Sequence, residues 1–366
     1  MTCGEAKPYV VCVDGGIDST GAVDASPVIQ DVFDDITTSG HRAAEIHLPP
    51  GLYRINNRVE FEGYSSLQSL VINGHGIQGI DFQCYNDGGF CFDLVNRKQT
   101  LYISGVKFTA MAPAAGTAIE VKQPVGGSQH RRNLILRDIE IGTGDNSDHY
   151  FHDGVKLTGL HRPLFENVMI TGPYGPNNQN AFPIVTGIKM TDCYSPLIKG
   201  CCVWSADTGI LHMGSAGGNP EGITIRDTKC VETNTGIRID SADFEPECLI
   251  NGCHVNSRIR GIVLNRRTKA VLSENLMYNA YGDNNFYQDI LILNGRDTII
   301  NNNIFFNPKI DDHPNRSAIR VNKSRRTVIS ANHFTNEGTA VSVTDSLRTE
   351  RYNNFYFGPD VDYVEN

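Results

Sequence analysis

At 366 residues the chain exceeds one ordinary globular core and suits two, unless its core grows along an axis as a solenoid's does. A composition of 40% hydrophobic and 20% charged residues, with 36 glycines, favours β structure punctuated by turns over helix. The net charge of −9 argues against nucleic acid as the main partner, and no stretch approaches the ~18 apolar residues of a membrane-crossing helix, so no membrane partner is expected.

The N-terminal MTCGEAKPYVVCVDGG lacks the basic and apolar regions of a signal peptide. An extracellular or virion-associated protein without a recognisable leader is the expectation. From Ser26 to Thr37 the apolar residues Val28, Ile29, Val32, Phe33 and Ile36 follow a helical spacing. Ser26 can cap that helix and Pro27 suits its first turn. A solenoid needs its open end covered, and one amphipathic helix does this.

Early coils follow as SLVINGHGI, FCFDLVN with TLYISGVKF, and TAIEVKQ with NLILRDIEIG. The GHG of Gly74, His75 and Gly76 stands alone and reads as a turn. A small residue followed by alternating apolar residues then recurs at Gly154, Gly187, Gly209, Gly236 and Gly261, with degenerate copies at Asp289, Ala318 and Ala340. Successive intervals run from 22 to 33 residues. A second series of short strands centres on Asn167, Gly200, Asp227, Gly252, Asn275, Asn303 and Asn332. Two interleaved series with matching spacing mean one coil of two or three short strands per repeat. Asn, Asp and Gly tolerate the left-handed backbone that turns between strands, and stacking brings the Asn amides into register. The expected fold is all-β: a right-handed, single-stranded parallel β-helix of about ten coils with an N-terminal capping helix. Its expected organisation is a cap and first coil over 1–60, the β-helix over 61–345, and a closing segment over 346–366.

The ten cysteines, Cys3, Cys12, Cys84, Cys91, Cys193, Cys201, Cys202, Cys230, Cys248 and Cys253, form no repeated CxxC pairs. Buried thiols are expected, with a Cys3–Cys12 bridge as the exception. No metal and no cofactor is expected.

DGGIDSTGAVDASPVIQDVFDDI followed by AAEIHLPPGLYRI resembles the opening of the pectate-lyase-like superfamily, where such a helix leads into a strand and a P-P-G-x-Y turn. The later coils are similar to bacteriophage tailspike depolymerase domains in their rhythm of xGIxL and IxxNxI. A shorter similarity, to inulin fructotransferases, covers SADTGI and NPEGI and implies a functional pair at Asp207 and Glu221. The resemblance implies the β-helix fold, a carbohydrate substrate and, by the tailspike likeness, a homotrimer. It does not settle the chemistry, because that superfamily includes lyases, hydrolases, epimerases and fructotransferases. The polygalacturonase set of NTD, DD, GHG and RIK and the DPHE motif of mannuronan epimerases are both missing.

On a β-helix the inward side chains form the core and alternate ones stand on outer faces. Asp207, Glu221, Asp240 and Asp243 come from two successive coils. Glycoside cleavage needs an acid and a carboxylate flanking the bond, and coil stacking at about 4.8 Å supplies such spacings. The alternative for Asp207 is an Asx turn before Thr208. A second constellation, GDNSDHYFHDGVKL, gathers Asp145, Asp148, His149, Tyr150, His152 and Asp153 in one loop. His149 beside Asp148 and Tyr150 would serve β-elimination of a uronate, a metal, or plain hydrogen bonding. Lys156, Lys189 and Arg238 share one outward position, repeated at Arg320, and would suit an acidic sugar chain or simply solubilise a sheet face. Trp204, Tyr150, Tyr174 and Tyr287 are candidates for stacking on sugar rings.

The substrate-binding set is therefore Trp204, Tyr150, His152, Lys156, Lys189 and Arg238. The favoured function is a carbohydrate-active enzyme cleaving a glycosidic bond with a carboxylate pair, of glycoside hydrolase type. The alternatives are a polysaccharide lyase using the His/Tyr loop, a fructotransferase-like enzyme, and a non-catalytic carbohydrate-binding β-helix.

Overall fold

The computed structural model describes residues 9–13, 16–74, 76, 79–96, 98–124, 132–144, 148–173, 184–218, 220–278, 287–306, 316–335, 339–357 and 363–365. The chain forms two compact units, Met1–Gly175 and Pro176–Asn366. Both consist of right-handed parallel β-helix coils, as the repeat predicts.

In the first unit the helix Ser26–Ser39 buries Ile29, Val32, Phe33 and Ile36. Phe33 meets Phe61 and Phe90 edge-on, at centroid distances of 5.4 and 6.1 Å, so the helix closes the aromatic interior of the first coils. The N-cap is Ala25, not Ser26, and it makes no side-chain cap bond. Ser26 is already helical, and its amide and hydroxyl both donate to Asp24 Oδ1, at 3.0 and 2.7 Å. Behind the helix, Ile46, Ile72, Ile103, Leu136 and Phe165 stack in parallel register as one inward column.

The second unit shows the repeat most regularly. Ile188, Ile210, Ile237, Ile262, Ile290, Ile319 and Val341 stand in register and are buried. Each such side chain removed from water contributes roughly 1.5–3 kcal/mol, so the column is a main source of stability. The glycine before each early isoleucine has a steric cause. A Cβ on Gly209 would lie 2.5 Å from the Gly236 carbonyl oxygen and 3.0 Å from Cys230 Sγ.

Non-glycine residues with positive φ fall where the spacing places turns. Asp227, Glu274, Asn302, Ala331 and Asn353 have φ between 52° and 59°, one per coil. The following column is an asparagine ladder. The amides of Asn275, Asn303 and Asn332 donate to Oδ1 of Asn303, Asn332 and Asn354, each at 3.0 Å. The side-chain amides of Asn275, Asn303, Asn332 and Asn354 in turn donate to the carbonyls of Ile250, Leu272, Ile300 and Ile329. The ladder thus satisfies main-chain polar groups that the turns leave buried.

Cys84, Cys91, Cys193, Cys201, Cys230, Cys248 and Cys253 are buried free thiols, as expected from their inward positions. Cys12 is an exposed free thiol, and Cys3 lies outside the described residues, as do His75, Asp145 and Tyr174. Among the described residues no helix is long and apolar enough to cross a membrane.

Candidate active site

Two of the four carboxylates singled out in the second unit, Glu221 and Asp243, meet with Glu245 at one corner, where two successive coils swell. The first swelling follows strand Ala206–Gly214 and runs through Pro220 to Glu221. The second interrupts strand Lys229–Asn251: Asp240 pairs with Asn265 and Glu245 with Arg267, so Ser241–Phe244 stand opposite the single residue Arg266. This bulge lifts Asp243 and Phe244 out of the sheet, and both are exposed.

Short bonds hold the two loops. Buried Asp192 accepts the Ser215 amide and hydroxyl, both at 2.7 Å. The Gly217 amide donates to Asp243 Oδ2 at 3.2 Å, and Arg266 donates to the Ala242 carbonyl.

Beneath the loops lies a buried basic pair, His212 and Arg267, at 0% and 1% exposure. Arg267 Nη1 donates to the Pro220 carbonyl at 2.9 Å, and Nη2 lies 3.2 Å from His212 Nδ1. His212 Nε2 lies 2.9 Å from the Cys193 carbonyl oxygen. A carbonyl only accepts and a guanidinium only donates, so the imidazole is neutral with its proton on Nε2. Burial, with the Arg267 charge beside it, pulls its pKa down to about 3. Burial also lowers the Arg267 guanidinium, against the opposing pull of Cys248, Glu245 and Asp240.

Glu245 has the perturbation useful to chemistry. Burial raises its carboxyl; Arg267 opposes the shift, and Glu221 and Asp243 add to it. A half-buried acid raised by burial and by two further carboxylates has the electrostatics of an acid/base site. Sequence reasoning missed Glu245, Arg267 and His212. His212 did leave a signal: its inward column otherwise holds Met190, Ile239, Leu264, Ile292 and Val321. Arg267, in NRRTKA, had no such pattern to betray it.

The other expected residues are placed elsewhere. Asp207 stands opposite Asn234, whose Nδ2 donates to it at 2.7 Å. Along the strand it is six residues from the Asp240 position, ~20 Å at the strand rise, so the structure does not bring it to Glu221 and Asp243. Asp240 sits at the rim, bonded to Arg238 Nη2 at 2.7 Å and Asn265 Nδ2 at 2.8 Å. Lys189, Leu211, Arg238, Val263, Leu291 and Arg320 share one register position, at which Val263 and Leu291 are buried, so apolar residues separate Arg238 from Arg320. Trp204 is 41% exposed and therefore outward, in register through Val231 and Asn256 with Tyr278 and Phe306. Tyr287 is buried, its hydroxyl donating to Asp289.

In the first unit the second constellation is a loop whose main chain is tied to 112–116. The Tyr150 carbonyl accepts the Ala115 amide at 2.8 Å, and the His152 amide donates to Gly116 at 2.7 Å. Asp148 and His152 are exposed, His149 Nδ1 is buried without a hydrogen-bond partner, and His152 Nδ1 lies 3.5 Å from Asp153. Lys156 is engaged at 3.2 Å with Glu120, a buried carboxylate also held by Arg58 and Lys122.

Residues 178–363 match the family model for the periplasmic copper-binding protein NosD, which is more than half of the chain. The chain belongs to the NosD family. No curated protein sequence matches it. Among solved structures it is similar to PfbA, a surface adhesin of Streptococcus pneumoniae (14% identity, TM-score 0.63), over 96% of this chain and 93% of that one. The A-module of mannuronan C-5 epimerase AlgE4 from Azotobacter vinelandii is 11% identical, at 98% and 100% coverage and a TM-score of 0.61. DFA-IIIase from Arthrobacter chlorophenolicus A6, in a complex with DFA-III, is 15% identical, at 98% and 86% coverage and 0.60. These likenesses establish the parallel β-helix, and carbohydrate-active proteins are among its neighbours.

The family description raises copper, and the donors here do not fit it. Among the described residues no group of three or more His, Cys, Asp or Glu side chains could hold a metal ion. A cysteine ligates a metal as its thiolate, whereas burial pushes the Cys248 and Cys253 thiols up to about 12 and Cys230 further still. The buried imidazole of His212 already spends both nitrogens on protein partners.

Proposed function

We propose that the corner formed by Glu221, Asp243 and Glu245 cleaves a glycosidic bond, with Glu245 as the general acid and Asp243 as its partnering carboxylate. The observation that supports this most is the raised Glu245 carboxyl beside Glu221 and Asp243 over buried Arg267. Hydrolysis of a glycoside needs one carboxyl protonated, to hand its proton to the leaving oxygen, and one ionised. Burial at this corner separates the roles: Glu245 is half-buried, while Asp243 is exposed and oriented by the Gly217 amide. Arg267, fixed under the acid, limits how far it rises and prevents a wholly uncompensated negative cluster. Asp240 and Arg238, ion-paired at the rim, would contact sugar hydroxyls.

The test is product chemistry. The chain is incubated with a panel of capsular, lipopolysaccharide-derived and fructan glycans, following both reducing ends and absorbance near 232 nm. New reducing ends without absorbance are expected. The rate should fall as pH rises through the elevated Glu245 value, since the protonated form does the work. An unsaturated uronate product would rule out the carboxylate pair and favour the His149 and Tyr150 loop.

A second reading, binding without cleavage, is favoured by the outward row of Trp204, Tyr278 and Phe306. Tyr278 and Phe306 stack at 5.5 Å between centroids, and flat faces of this kind accept sugar rings. Retained glycan binding with a silent assay would select it. An extracellular setting suits either reading: the family is described as periplasmic, and one structural neighbour is a surface adhesin.

A further inference from the structure

Beside the carboxylate corner, in the same unit, lies a groove of about 440 Å³ lined by Arg296, Arg325, Arg326, Leu347 and Arg348. We infer that this groove holds anionic groups of a glycan, carboxylates or sulfates, so that the substrate is an acidic polysaccharide. The inference rests on the reading of the neighbouring corner as a carbohydrate site.

Register explains how the arginines gather. Pro246, Thr268, Arg296, Arg325 and Leu347 occupy one position in successive coils. The next position, where the backbone turns left-handed in every coil, holds Glu247, Lys269, Asp297, Arg326 and Arg348, with φ from 52° to 60°. Charge alternates along that column until its last step, where Arg348 follows Arg326 directly. Asp297 is consumed by Arg326, at 2.5 Å to Nε and 2.6 Å to Nη2. Among the described residues no carboxylate pairs with Arg296, Arg325 or Arg348. In a chain of net charge −9, this is a local concentration of cations that the protein itself does not neutralise.

The groove is also continuous with the proposed chemistry. The Arg296 guanidinium lies 3.8 Å from the centre of the Phe244 ring, and Phe244 is the residue between Asp243 and Glu245. Coils stack at about 4.8 Å, so the Cα atoms of Arg296 and Arg325 lie one strand spacing apart, each bearing a planar guanidinium fork. Such forks match carboxylate and sulfate oxygens two at a time. A polymer laid from the acid corner along the stack would meet charge at successive steps.

The test measures binding of the full chain to polygalacturonate, dextran sulfate and neutral dextran, using Glu245→Gln protein so that no substrate is consumed. Binding to at least one polyanion and none to dextran is expected. Affinity should drop at least tenfold when Arg325→Gln and Arg348→Gln are combined, and should weaken as salt screens the groove. Arg325→Lys with Arg348→Lys should lose less, keeping charge without the fork. Both arginines are exposed, and an unchanged melting temperature shows that the variants are folded. The two polyanions separate carboxylate from sulfate recognition. Equal binding by parent and Gln variants overturns the inference, as does failure of both polyanions to bind, or tighter binding of an oligothymidylate than of either. If the groove variants lose binding while Glu245→Gln in the otherwise native chain still cleaves, only the cleavage reading fails. If Glu245→Gln abolishes cleavage while the groove variants bind normally, only the groove fails.

Discussion

Strand Ala206–Gly214 and its neighbours carry carboxylates at both ends, and the two ends differ in kind. At the first, Asp207 meets Asn234 one coil on, a stacked pair within two paired strands. At the other, two loops swell, a buried His–Arg pair lies beneath, and Glu245 is raised by burial and by other carboxylates. The sequence motifs around Asp207 and Asp243 look equally polar. What separates them is the size of the irregularity: one-residue register shifts flank Thr233 at the first end, whereas Ser241–Phe244 stand opposite Arg266 alone at the other. A coil close to register spends its polar groups on its neighbours, whereas a large bulge presents side chains that its neighbours cannot satisfy.

The largest expected effect breaks this comparison directly. Glu245→Gln should lower kcat/KM by ~10²–10⁴, the usual weight of a general acid. Asp207→Asn should leave it within about twofold, as an ordinary surface change does. Steady-state kinetics on whichever glycan is cleaved decide it. Comparable losses in the two variants would mean that the Asp207 end takes part, and the distinction between ends would fall.

Most of the fold was legible in the sequence because a solenoid repeats its constraints. The glycine before each early isoleucine, the turn residues and the asparagines recur coil by coil, with local steric and hydrogen-bonding causes. The site was legible only in part. Glu221, Asp240 and Asp243 could be named because acidic residues cluster in loops. Arg267 could not, since its burial depends on a loop 47 residues earlier folding back to offer the Pro220 carbonyl. His212 could have been found by asking which inward position breaks the apolar column. The helix cap was misplaced by one residue because Asp24 already offers an acceptor to the first turn.

Removing the buried cation sharpens the comparison next. Arg267→Met keeps the bulk of the stem but deletes the charge under Glu221, Asp243 and Glu245. Breaking one side of a buried ionic cluster typically costs about 3–5 kcal/mol, and a urea midpoint should register that loss. The same change should raise the Glu245 carboxyl further, moving the alkaline limb of the activity profile upward if any activity survives. Arg238→Met, at an exposed ion pair with Asp240, should cost under about 1 kcal/mol. Similar losses at the two arginines would show that burial of Arg267 is not what matters.

His212 gives the smallest and most specific effect. Its folded pKa, about 3, lies below the ordinary value of 6.5, so the unfolded chain binds a proton that the folded chain refuses. Its contribution is therefore full above pH 6.5 and is lost progressively as pH falls through that window toward 3. Between pH 7 and 5 one such group accounts for about 2 kcal/mol. His212→Gln separates titration from packing: the amide oxygen can accept from Arg267 while its nitrogen donates to the Cys193 carbonyl, and neither ionises. The variant should be somewhat less stable at pH 7, where its packing is imperfect, yet lose less than the parent on acidification. Denaturant midpoints at pH 7 and 5 measure both. Parallel losses in the two proteins would mean that the imidazole is protonated in the folded state. The buried pair beneath Glu245 would then be an ion-repelling one, which no corner built to raise a carboxyl could use.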